Sequence, residues 1–90
     1  MAIETTLDII NEKGLHARAS ARFVETVEHY DAEASVTKDG MTVSGDSIMG
    51  LLMLAASNGT SIHVKITGAE ADKLASSLDQ LLKNKFGEAA

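Results

Sequence analysis

Ala32-Glu33-Ala34-Ser35-Val36-Thr37-Lys38-Asp39-Gly40-Met41-Thr42-Val43 is a pair of short alternating runs joined by two residues. Ala32, Ala34 and Val36 fall on one face of the first run, and Met41 and Val43 share a face of the second. Asp39-Gly40 is a strong hairpin signal, because a type I′ turn needs positive φ at both central positions. The chain therefore contains an antiparallel pair of half-apolar strands, and sheets of that kind leave one face to water. Outward from the pair, Ile3, Thr5, Leu7 and Ile9 alternate with Glu4, Thr6 and Asp8, while Ile62, Val64 and Ile66 alternate with His63, Lys65 and Thr67. Both segments read as further strands with one buried face.

Helical spacing fills the gaps. From about Ala17 to Glu28, Ser20, Phe23 or Val24, and Val27 recur every three or four residues in a stretch rich in Ala, Arg and Glu. Ile48 to Ala56 is apolar nearly all round, so it is either a buried helix or one whose outer face meets a partner. Asp46 and Ser47 are its candidate N-caps. The last element places Leu74, Ala75, Leu78, Leu81 and Leu82 on one stripe, with Glu70 and Asp72 in the first turn and Lys83 and Lys85 in the last. Acids at the start and bases at the end complement the helix dipole. The order is β-α-β-β-α-β-α, an α+β arrangement of two layers with an antiparallel sheet covered on one side. No repeat, linker or low-complexity tract interrupts it, so residues 1–90 are expected to form one domain.

Composition narrows the function. Eight Lys and Arg stand against 13 Asp and Glu in 90 residues, a formal charge of −5, and there is no cysteine. Disulfides and cysteine-based metal sites are excluded. An acidic balance argues against a nucleic-acid binder, which would show a basic face. The longest apolar run, Ile48 to Ala56, is about half of a bilayer span, so no membrane insertion is expected. Met1-Ala2-Ile3-Glu4 has neither a basic nor an apolar leader segment, and a cytoplasmic protein is expected.

The total conceals a local exception. Residues 13–24 hold Lys13, Arg18 and Arg22 with no acid, leaving five bases against 13 acids elsewhere. His16 lies in this segment, at the junction of loop and helix. The first N–H groups of a helix have no partner within it, and the dipole there favours negative charge. A phosphoryl group on His16 would collect the N–H groups near Ala17 and Arg18 and the Arg18 guanidinium. Gly14 would let the backbone come close to a phosphate. Spacing alone leaves two readings open: a nucleophile in an anion site, or a histidine that merely caps a helix beside a solvated arginine. His29 follows a helix and His63 lies on the polar face of a strand; neither has a second ligand at metal spacing, so no metal site is expected.

Asn11-Glu12-Lys13-Gly14-Leu15-His16-Ala17-Arg18-Ala19-Ser20 resembles the active-site signature of the HPr family, the histidine phosphocarriers of the bacterial sugar phosphotransferase system. Gly45-Asp46-Ser47-Ile48-Met49-Gly50-Leu51-Leu52 resembles the family's second signature, around its regulatory serine. The likeness spans the whole chain and implies an open-faced β-sandwich, three helices on a four-stranded antiparallel sheet. It implies a phosphoryl carrier rather than an enzyme, with no cofactor. His16 would take the phosphoryl group from enzyme I and pass it to IIA domains, and Arg18 would steady the transferring group. Ser47 would be the target of HPr kinase/phosphorylase where such an enzyme exists, and an N-cap role explains the serine equally well. Ile48, Met49, Leu52 and Arg22 are expected to form the partner-docking surface of a monomer, since an exposed apolar patch beside a reactive group marks an interaction site. Most family members carry proline where this chain has Ala19, a change that leaves the nucleophile and the charge in place. Two alternatives stand beside this reading: a nitrogen-branch regulatory carrier of the same family, and a small βαββαβ-type ligand-binding or regulatory module without covalent chemistry.

Overall fold

The computed structural model describes residues 2–90. Asp39 and Gly40 both take positive φ, 50° and 81°, so the turn at the centre of the hairpin forms as its residue types require. It joins β2 (Glu33–Lys38) to β3 (Met41–Ser44), with Val36 opposite Val43 and Lys38 opposite Met41. The two outer alternating segments become β1 (Ala2–Asp8) and β4 (Ser61–Thr67). β4 lies between β1 and β2, giving the order β1-β4-β2-β3, antiparallel throughout.

Three helices cover one face: α1 (Ala17–Glu28), α2 (Ile48–Met53) and α3 (Ala71–Lys83), followed by a 3₁₀ turn at Lys85–Gly87. This is the β-α-β-β-α-β-α open-faced sandwich that the sequence led us to expect. The core lies between the layers. Leu7, Ala34, Val36, Ile62, Val64 and Ile66 face it from the sheet. Phe23, Val24 and Val27 of α1, and Leu74, Leu78 and Leu82 of α3, meet them from above. Each of the large side chains contributes roughly 1.5–3 kcal/mol by leaving water. The other sheet face carries Glu4, Asp8, His63 and Lys65, all exposed.

Three boundaries differ from the sequence reading, each where tertiary contacts override local pattern. β1 stops at Asp8, yet Ile9 is buried, and its N–H donates to Thr60 O at 2.8 Å. α2 ends at Met53 instead of running to Ala56, because Ala55 turns left-handed at φ 50°. That turn aims the Ala56 carbonyl at the Leu15 N–H, 2.9 Å away. α3 ends at Lys83, so Lys85 is not in its last turn; Lys85 and Phe86 take φ values of 54° and 56° and reverse the chain. Glu70 stands at the N-cap of α3 and caps nothing; its Oε1 accepts from the Asp31 N–H at 2.8 Å, tying the α1–β2 connection to α3.

Candidate functional site

The loop before α1 is held from beneath. Gly14 sits at φ +67°, and a Cβ there would lie 2.4 Å from the Ala56 oxygen, so only glycine fits. Leu15 plugs into the core, and Ser20 Oγ donates to the Leu15 carbonyl at 3.2 Å. Asn11 is fully buried, and its Nδ2 donates to the Gly14 carbonyl at 2.9 Å. These contacts deliver His16 to the N-cap of α1 in an extended conformation, where its carbonyl accepts from the Ser20 N–H at 2.9 Å. The imidazole makes no capping bond. The first N–H groups of α1, at Ala17, Arg18 and Ala19, therefore keep their capacity for an external acceptor.

A cleft of about 360 Å³ opens beside the ring, lined by Glu12, Lys13, His16, Arg18, Arg22 and the chain from Gly87 to Ala90. His16, Arg18 and Arg22, named from the sequence, meet in it. Arg18 is exposed. Arg22 donates through Nη1 to the Phe86 carbonyl, so it holds the C-terminal segment in place as well as adding charge to the cleft.

The segment after α3 contains none of the site residues named from the sequence, and it changes the local electrostatics. Phe86 is buried in the core, and the left-handed residues around it swing the chain back over the loop. Glu12 N–H donates to the Ala90 carbonyl at 3.1 Å. Glu88 Oε2 is hydrogen-bonded to His16 Nε2, and Glu88 Oε1 accepts from Asn11 Nδ2 at 3.0 Å. The Asn11 amide foremost, with His16 and Lys13 adding to it, holds the Glu88 carboxyl below the usual glutamate range. An ionised carboxylate only accepts, so in this contact Nε2 carries the hydrogen. The acid-free character of residues 13–24 is thus a property of the sequence alone; folding brings in Glu88 from 72 positions away. The signal for it was the second of only two phenylalanines, placed with a glycine just past an amphipathic helix. Such an aromatic needs a core position, and the residues after it must follow.

The second set of sequence-named residues lies on α2, outside the cleft. Ser47 is the N-cap, its Oγ accepting from the Gly50 N–H at 3.0 Å, and Asp46 is not. Leu51 is the one fully buried residue within α2, and Leu52 is partly buried. Ile48 is 39% exposed, Met49 70% and Met53 65%. Of the other histidines, His63 pairs with Glu4 at 2.9 Å on the open sheet face, and His29 packs edge-on against Tyr30.

The PTS-HPr family, described as "PTS HPr component phosphorylation site", matches residues 3–84. The chain belongs to the HPr family. It is 43% identical over 86 residues to the phosphocarrier protein HPr of Neisseria meningitidis, covering 96% of this chain and 97% of that one. It is 41% identical over 88 residues to the phosphocarrier protein HPr of Pseudomonas aeruginosa, covering 97% and 96%. Among solved structures, HPr-C-His from Thermoanaerobacter tengcongensis superposes with a TM-score of 0.92 at 35% identity, covering 98% of this chain and 99% of that one. The protein is therefore an HPr phosphocarrier of the phosphotransferase system, a carrier rather than an enzyme. No helix among the described residues is long and apolar enough to cross a membrane.

Proposed function

We propose that the protein accepts one phosphoryl group on His16 from phospho-enzyme I and delivers it to IIA domains in the cytoplasm. The observation that carries this reading is the placement of an imidazole with an uncommitted Nδ1 at the start of α1, beside Lys13, Arg18 and Arg22. In acceptance, the Nδ1 lone pair attacks phosphorus in line while the bond from phosphorus to the donor atom breaks, its electron pair leaving with the donor. Little covalent work falls to the protein in such a loose transfer, and positioning and charge do most of it. The Arg18 guanidinium and the free N–H groups of α1 supply donors for the phosphoryl oxygens.

Ile48, Met49 and Leu52 serve as the docking surface in this reading, with the exposed Met53 beside them. Flexible, polarisable methionine side chains suit a surface that must fit more than one partner. Phosphorylation of Ser47 by HPr kinase/phosphorylase, where that enzyme exists, would keep an acceptor oxygen at the N-cap and place negative charge beside the apolar patch.

The test is intact mass after incubation with enzyme I and phosphoenolpyruvate. A gain of one phosphoryl group is expected, absent in His16→Ala and lost in mild acid, since a phosphoramidate is acid-labile and a phosphoserine is not. No gain with the wild type, or a gain that survives His16→Ala, overturns the reading.

A further inference from the structure

The family match ends at residue 84, and Glu88 lies beyond it. Even so, this glutamate is hydrogen-bonded to the His16 ring. It is built into the fold: Phe86 anchors the segment in the core, Arg22 holds the Phe86 carbonyl, and buried Asn11 grips the carboxylate oxygen that His16 does not use. Asn11 cannot turn its amide over, because its oxygen would then face two acceptors, the Gly14 carbonyl and Glu88 Oε1. Asn11 and His16 therefore both donate to Glu88, one to each carboxylate oxygen.

We infer that Glu88 is a positioning residue for phosphoryl transfer: it fixes the hydrogen of His16 on Nε2, aims the Nδ1 lone pair outward, and offsets the positive charge the ring acquires when Nδ1 bonds phosphorus. In that step no proton leaves the ring. The new N–P bond uses the Nδ1 pair, the donor takes back the pair of the broken bond, and the hydrogen on Nε2 stays between the ring and the carboxylate. The remaining charges facing the ring are Glu12 and Lys13 on the loop and Arg18 and Arg22 on α1. None of these is hydrogen-bonded to the ring; among the described residues Glu88 alone is. A carboxylate that orients an imidazole through its other nitrogen works in the same way in catalytic triads and metal sites.

The inference rests on His16 being the acceptor, and two measurements keep it separable from that reading. The first is the ring ¹⁵N spectrum of unphosphorylated protein, which needs no partner. Wild type should show hydrogen on Nε2. In Glu88→Gln, Asn11 will still donate to the side-chain oxygen, so the introduced NH₂ will face Nε2 and drive the hydrogen to Nδ1. Glu88→Ala should give a mixture. The second is transfer from phospho-enzyme I: Glu88→Ala should lower kcat about tenfold. Glu88→Gln should lower it about tenfold further, because its tautomer is the wrong one, with KM within about twofold for both. Ring spectra unchanged across the three proteins, or faster transfer by Glu88→Ala, would overturn the inference, the latter showing that the segment blocks the site. If wild type takes no phosphoryl group, the proposed function fails, while the ring spectra still decide whether Glu88 holds the tautomer.

Discussion

At the scale of single residues, the cleft divides its charges by what each is bonded to. Arg22 is committed to the Phe86 carbonyl and Glu88 to Asn11 and His16. Arg18 is exposed, which leaves it available to an incoming anion. Arg18→Ala should therefore slow phosphoryl transfer at least tenfold, the scale of a lost charge-assisted donor. Its unfolding free energy should stay within about 0.5 kcal/mol of wild type, as for surface changes away from special features. Denaturant unfolding together with transfer rates checks this; a large stability loss would point to a structural arginine. Ala19, where most of the family has proline, is fully buried, and α1 begins two residues before it in regular form. His16 and Arg18 were legible from sequence because loop, helix start and charge are neighbours along the chain. Glu88 was not, because its relation to His16 exists only through space.

Among the elements, α2 is where residue pattern and structure part most. Nine apolar residues suggested a helix as long as the run, but six form it, because the chain must turn left-handed at Ala55 to support the loop that carries His16. Its shortness explains its exposure: a helix of that length can turn only Leu51 fully inward, so Met49 and Met53 remain outside. Period alone cannot distinguish a buried apolar helix from one covered by a partner, and the burial of each residue decides. Met49→Asp should raise the KM of enzyme I for this carrier by tenfold or more and leave the phosphoryl gain at saturation intact, as expected when a charge is placed in an apolar contact. Steady-state kinetics across carrier concentration make the check, and an unchanged KM would remove Met49 from the docking surface. α1 and α3 differ from it: their stripes are long enough to show which side faces the core, and α1 starts where its pattern does.

Over the whole molecule, His16 and Glu88, 72 positions apart in sequence, meet in one cleft. The sheet and its helices bring the end of α3 to the start of α1, and the 3₁₀ turn carries Glu88 the rest of the way. This closure has a pH dependence with a defined sign. The Glu88 carboxyl titrates below its ordinary range when docked, mainly through the Asn11 amide, so the ionised form favours docking. Its contribution is complete above the ordinary glutamate value, about 4.3, and is lost as pH falls through the lower docked value. Amide shifts of Glu12 and Glu88 should move together in one step below that value, absent in Glu88→Gln, while β4 amides keep their exchange protection. A step at the ordinary glutamate value would show that the carboxylate is not held. Element order, the hairpin, the helix faces and the acid-free segment around His16 can be read directly from the residues, because periodicity, turn chemistry and helix-end charge act over a few positions. The shortened α2, the reversal at Phe86 and the Glu88 contact arise in the folded chain, because each depends on which surface the packed core leaves within reach.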